Sequence, residues 1–305
     1  MTDNTRSPGR TRRTAVALAT GMLLLGALTA CGTSGASGAT PAPAAATSPP
    51  TAADPTLRMV KNGGHTLAFH LTPGHGPTIV LDAGGGADSS YWKDIVPTLL
   101  KNTGSTIVTY DRAGMGASDE VPGPWKVDDA VSDLEAGLTQ LGATHNVLLV
   151  SHSLAGEIAT YFADRNPQWV TGSVLVDASL PNFYTDGEIT RIEAANKEQV
   201  AELRKQPSTK QTRQLLAVAA GYTAMHRAYH QISWPDDVPA TVIVSAKTPF
   251  DTPDDAQLWR DAQAQFAGAA PNRTLVVAAN SSHDIPLDRP DVVVNAIDEM
   301  AKKLG

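Results

Sequence analysis

Three polar side chains able to do chemistry stand together as Ser151, His152 and Ser153 in the stretch NVLLVSHSLAGEIATYFA (146–163). A serine hydroxyl becomes a nucleophile when a histidine takes its proton. Acyl transfer then also needs N–H donors for the oxyanion and a carboxylate to orient the imidazole. The stretch opens as an apolar strand and closes as a helix. A strand that enters a helix through one residue strains that residue's backbone and thrusts its side chain outward. The residues two before and two after are crowded together and must be small. With Ser153 at the apex they are Ser151 and Ala155, both small. With Ser151 at the apex they would be Leu149 and Ser153, and Leu149 is too large. Ser153 is therefore the candidate nucleophile. These residues alone leave two roles open for it, nucleophile or helix N-cap.

His152 adjoins Ser153 but points away at a sharp turn, into neighbouring structure. His65, His70 and His75 lie in the N-terminal region of the domain, and His145 precedes the strand at its wrong end. His226 and His230 are spaced i, i+4. Zinc peptidases use that spacing with Glu after the first His, where this chain has Arg227. A structural role is expected for the pair, with no metal and no cofactor. The formal charge of −7 and the lack of a basic run in the body of the chain give no footing for nucleic acid.

The elements that must position these side chains follow from the apolar pattern. LRMVKNGGHTLAFHL (57–71) reads as a hairpin around Asn62-Gly63-Gly64. Six continuous apolar runs follow, at 78–83, 106–111, 146–151, 173–178, 241–246 and 274–279. Runs of this kind suit strands buried on both faces of a parallel sheet. Val127, Val131, Leu134, Leu138 and Leu141 form one helical stripe, and Val293, Ile297, Met300 and Leu304 another. Pro290 fits the first turn of that last helix. Strands alternating with helices predict an α/β sheet covered on both faces. Residues 181–237 are too long for one crossover and read as a helical cap over the ligand-binding edge of the sheet.

Four segments resemble the α/β-hydrolase family in the family's own order over residues 56–305. LDAGGGADSSYW (81–92) stands where the family has its His-Gly oxyanion segment, although the His-Gly is Ala83-Gly84 here. YDRAGMGASD (110–119) matches the Y-D-R-x-G-x-G-x-S segment. SHSLAG occupies the nucleophile turn, and SSHDIPLDRPDVVVNAI (281–297) matches the terminal histidine loop with its Arg-Pro and helix. The resemblance implies a mostly parallel sheet of about eight strands, flanked by helices and capped. It makes Ser153 the nucleophile, His283 the general base, and the backbone N–H groups of Gly85 and Leu154 the oxyanion donors. Asp111 and Arg112 are read as structural, holding a tight turn at Gly114 and Gly116. For the acid, most of the family would use the loop SAKTPFDTPDD, which offers Asp251, Asp254 and Asp255. A subset takes it from the end of the strand after the nucleophile, which is Asp177. The reading takes Asp177 first and keeps Asp251 as the alternative.

The N-terminus carries a different signal. Arg6, Arg10, Arg12 and Arg13 precede an uninterrupted apolar stretch of 16 residues, Ala15 to Ala30. That is the order of a secretory signal and is short for a spanning helix. It ends in LTAC, which resembles a bacterial lipobox, and Cys31 is the chain's single cysteine. Residues 1–30 are therefore expected to be a lipoprotein signal and Cys31 to be lipidated. Residues 31–55 would be a Gly/Ala/Pro/Ser/Thr tether, and the domain would stand on the outer face of the bacterial membrane.

A serine nucleophile implies a carboxylic ester or related acyl compound of small or medium size, cleaved through an acyl-enzyme. Cofactor-free haloperoxidase, perhydrolase and C–C hydrolase chemistry share the same residues. A non-catalytic binding lipoprotein is the reading from a different class.

Overall fold

In the computed structural model the described residues are 55–304. The signal, Cys31 and nearly all of the tether lie outside them.

The hairpin forms as its turn residues require. β1 (Thr56–Asn62) pairs antiparallel with β2 (His65–Thr72), and Gly63 and Gly64 between them have positive φ. Six further strands follow: β3 (Thr78–Asp82), β4 (Thr106–Asp111), β5 (Val147–His152), β6 (Val170–Val176), β7 (Ala240–Ser245) and β8 (Arg273–Ala278). They form one sheet in the order β1-β2-β4-β3-β5-β6-β7-β8. β2 meets β4 antiparallel, and β3 to β8 are parallel to their neighbours. The expected sheet is therefore present in number and sense.

Successive strand residues point to opposite faces, so the inner strands of the sheet feed two cores. On one face Phe69, Val80, Leu149, Leu175 and Val242 pack against α2 (Val127–Leu141), α3 (Ala155–Arg165) and Phe266 of α6 (Pro253–Gly268). On the other, Ile79, Leu81, Leu148, Val150, Val176 and Ile243 pack against α1 (Val96–Thr103) and α8 (Pro290–Leu304). Each such side chain contributes about 1.5–3 kcal/mol when fully buried. One run departs from its reading. TLVVAA was expected to be buried on both faces, but β8 is an edge strand with Leu275 and Val277 exposed. An apolar run records composition and carries no mark of its place in the strand order.

Between β6 and β7 the chain leaves the sheet. A short 3-10 turn (Pro181–Phe183) leads into α4 (Asp186–Leu203) and α5 (Lys210–Tyr229), and α7 (Ile285–Asp288) completes the helices. Thr185 caps α4 by accepting from Glu188 N, and Thr209 with Thr212 makes a reciprocal capping box on α5. Phe183, Tyr184, Ile189, Ile192 and Tyr229 of this insert pack with Val244 and Trp259 of the main body. The cap is thereby seated on the end of the sheet from which Ser153 emerges. No helix among the described residues is long and apolar enough to cross a membrane.

Candidate active site

β5 ends at His152 and α3 begins at Ala155, which leaves Ser153 at the junction with φ of 56°. A non-glycine residue there carries strain that the surroundings must hold. They do so by hydrogen bonds. Ser153 N donates to the Val176 carbonyl (3.2 Å), and its own carbonyl accepts from Gly156 N and Ser179 N, both at 2.9 Å. Ser151 and Ala155 are both buried, as the crowding rule requires. A third small residue escaped that rule. A Cβ on Gly156 would lie 2.5 Å from the Ser179 carbonyl oxygen, so glycine is required one position beyond Ala155.

Asp177 follows β6 directly, also at positive φ (41°), and is fully buried. Its Oδ2 lies 2.7 Å from His283 Nδ1 and accepts from Ser245 Oγ at 2.7 Å. Its Oδ1 accepts from Trp259 Nε1 at 2.9 Å and from Ser245 N at 3.1 Å. Burial pushes this carboxyl up, but the bonds from His283, Trp259 and Ser245 outweigh it and hold the group below the usual carboxylate range. Asp251 is exposed on its loop, and Asp254 and Asp255 begin α6. The structure therefore brings Asp177 to His283 and leaves the other three acids apart. Trp259 and Ser245 had no signal in the sequence, because they reach Asp177 from 82 and 68 residues away.

With its Nδ1 occupied by Asp177, His283 presents Nε2. That atom and Ser153 Oγ are both buried, and neither has a hydrogen-bond partner among the described residues. His152 packs beside them, its ring centroid 4.7 Å from that of His283. Its Nε2 lies 2.9 Å from the His283 carbonyl oxygen, which accepts, so Nε2 carries the proton. Burial, and then the charge of His283, push the His152 imidazole down to about 3. It is thus neutral and supports the His283 loop.

The loop after β3 approaches from the other side. A Cβ on Gly84 would lie 2.8 Å from His152 Nδ1 and 3.1 Å from Ser153 Cβ, so the backbone there packs directly against the serine. Arg112 holds that loop. Its guanidinium donates to the carbonyls of Ala83 and Gly84 and pairs with the buried Asp82. Asp111 accepts from Ser89 N (2.9 Å) and Ala117 N (2.8 Å) and fixes the turn at Gly114 and Gly116. The expected structural role of these two residues is what the structure contains, with Arg112 reaching further than a local turn.

Gly85 and Leu154, the carried-over N–H donors, face a pocket of about 60 Å³ that is also lined by Glu157, Phe183, Tyr184, Tyr222, Phe250 and Trp259. Of the cap aromatics, Tyr229 is committed to packing and bonds the Ser179 carbonyl (2.8 Å), while Trp234 packs in the core on the α2 and α3 side of the sheet. His226 and His230 do not converge. His226 turns to Glu157, and His230 Nδ1 lies 3.0 Å from the Pro181 carbonyl oxygen.

A sequence model of the alpha/beta hydrolase family matches residues 79–296. The chain belongs to the alpha/beta hydrolase family. Protein YqjL of Bacillus subtilis (strain 168) is 35% identical to this chain over 111 residues, which cover 36% of this chain and 43% of that protein. A Synechocystis protein provisionally named a non-heme chloroperoxidase is 33% identical over 110 residues, 36% of this chain and 39% of that protein. The chain thus spans less than half the length of these curated relatives. A thermophilic esterase from Thermogutta terrifontis superposes with a TM-score of 0.58 at 20% identity, over 82% of this chain and 99% of that one. At that identity the likeness concerns the fold.

Proposed function

We propose that this hydrolase cleaves a small or medium carboxylic ester, or a related acyl compound, through an acyl-enzyme on Ser153. The observation that carries the reading is the Asp177–His283 hydrogen bond of 2.7 Å, set beside a buried serine hydroxyl and a buried imidazole Nε2 without other partners. Ser153 Oγ attacks the carbonyl carbon and its proton passes to His283 Nε2. The oxyanion is received by the N–H groups of Gly85 and Leu154. His283 returns the proton to the leaving alkoxide, and water activated by the same nitrogen then releases the acid. Asp177 stays ionised throughout and stabilises the imidazolium.

A fluorophosphonate probe tests this directly. Wild-type protein should label at Ser153 and hydrolyse p-nitrophenyl esters, and Ser153→Ala should do neither. A binding module that only keeps the fold would not react. The relative provisionally named a chloroperoxidase favours a second reading, in which hydrogen peroxide replaces water at the acyl-enzyme and the product is a peracid. Assays with and without peroxide separate the two. Export and anchoring through a lipid on Cys31 belong to the same proposal. Incorporation of radiolabelled palmitate into cells expressing the full chain should be lost in Cys31→Ser.

A further inference from the structure

A second buried acid–base pair lies on the same pocket, and the hydrolytic steps do not use it. Glu157 of α3 is fully buried, and its Oε1 lies 2.7 Å from Nε2 of His226 on α5. His226 Nδ1 lies 2.8 Å from the Tyr222 carbonyl oxygen, which can only accept, so Nδ1 carries a proton. A further proton lies between Nε2 and Oε1. The imidazole is flanked by the rings of Tyr184 and Tyr222, each with its centroid 4.0 Å away. Both ring nitrogens and both neighbouring aromatics therefore fix its position.

Glu157 Oε2 is left over. It is buried and has no hydrogen-bond partner among the described residues. Whichever atom holds the shared proton, Oε2 is an acceptor. In the carboxylate it is an anionic oxygen, and in an acid protonated at Oε1 it is the carbonyl oxygen. A buried acceptor left unmatched is destabilising. Tying α5 to α3 needs Oε1 alone, so the structural role of the pair does not account for Oε2. Glu157 lines the pocket together with Gly85 and Leu154, and most of the remaining lining is apolar or aromatic. It stands in the first turn of α3, which begins two residues after Ser153.

We infer that Glu157 Oε2 is a specificity contact. The acyl compound this pocket takes carries a hydrogen-bond donor, a hydroxyl or an N–H, on an otherwise apolar frame. The inference rests on the proposal that Ser153 is the nucleophile.

Two esters test it, p-nitrophenyl ω-hydroxyhexanoate and p-nitrophenyl heptanoate, which differ only by hydroxyl for methyl at the chain end. Wild-type kcat/KM should favour the hydroxy ester by about 10- to 100-fold, against the ordinary preference of an apolar pocket. Glu157→Met, which removes the acceptor and should still label with fluorophosphonate, should abolish or reverse that preference. Equal rates, or faster turnover of heptanoate, by a wild-type protein that labels with fluorophosphonate would overturn this inference and leave the hydrolase reading standing. Labelling of Ser153 with neither of these esters hydrolysed, while a shorter p-nitrophenyl ester is, does the same. Absence of labelling and of hydrolysis overturns both.

Discussion

Asp177 and His283 lie 106 residues apart in the chain and meet through a 2.7 Å hydrogen bond between Oδ2 and Nδ1. Asp177 stands at the end of β6, and His283 on the loop after β8. The bond therefore exists only because parallel strands end on the same edge of the sheet. It also decides how two acids should differ under mutation. Asp177→Asn should lower kcat on p-nitrophenyl esters by about 10⁴-fold, since the amide favours the wrong imidazole tautomer. Asp251→Asn, at an exposed loop position, should leave kcat within about twofold. Steady-state kinetics on the two purified variants checks this.

His152 makes acid stability measurable at one residue. Its imidazole is held down to about 3 in the folded protein, against an ordinary value near 6.5. Between those values the unfolded chain binds a proton that the folded chain does not. Stability from this group is fully present above about pH 6.5 and falls as pH drops toward 3, by about 1.4 kcal/mol per unit. Urea titrations at intervals from pH 7 to pH 4 should show that slope, and His152→Gln should flatten it by about one proton.

Gly84→Ala should damage catalysis more than folding. The new Cβ would press on His152 Nδ1 and Ser153 Cβ, at 2.8 and 3.1 Å. Moving that loop by even part of an ångström displaces Gly85 relative to the serine. A fall in kcat/KM of about 100-fold is expected, with far-ultraviolet circular dichroism unchanged.

Arg112→Ala should act on stability. It leaves the buried Asp82 without its cation, in a setting where burial already pushes that carboxyl up, and frees the carbonyls of Ala83 and Gly84. Removing one partner of a buried pair costs about 3–5 kcal/mol. Denaturant midpoints should reveal a loss of that size. Asp82→Asn combined with Arg112→Ala should recover part of it, because no bare charge then remains.

Much of the fold was legible because burial on two faces leaves a mark in sequence, and six apolar runs with helices between them carry it. The exposed face of β8 was not legible, because strand order depends on contacts remote in the chain. At the site, local crowding placed Ser153 rather than Ser151 at the apex of the turn and left its role open between nucleophile and helix N-cap. Asp177 and Asp251 could not be separated that way, since one ends a strand, the other lies on the loop after a strand, and the deciding partners of Asp177, Trp259 and Ser245, are remote in sequence. Glu157 gave no signal at all. In sequence it is one polar residue in a helix, and its meaning depends on His226 of the cap.

Placing the carboxylate at the end of β6 has a consequence for how this protein can change. The segment 246–252 contributes Phe250 to the pocket wall, while its acid, Asp251, faces solvent. Phe250 thus reaches the pocket from a stretch that supplies none of Ser153, Asp177 and His283. Residues 248–252 form a module that selection, or an engineer, can rewrite to reshape what enters the pocket while Asp177, His283 and Ser153 keep their places.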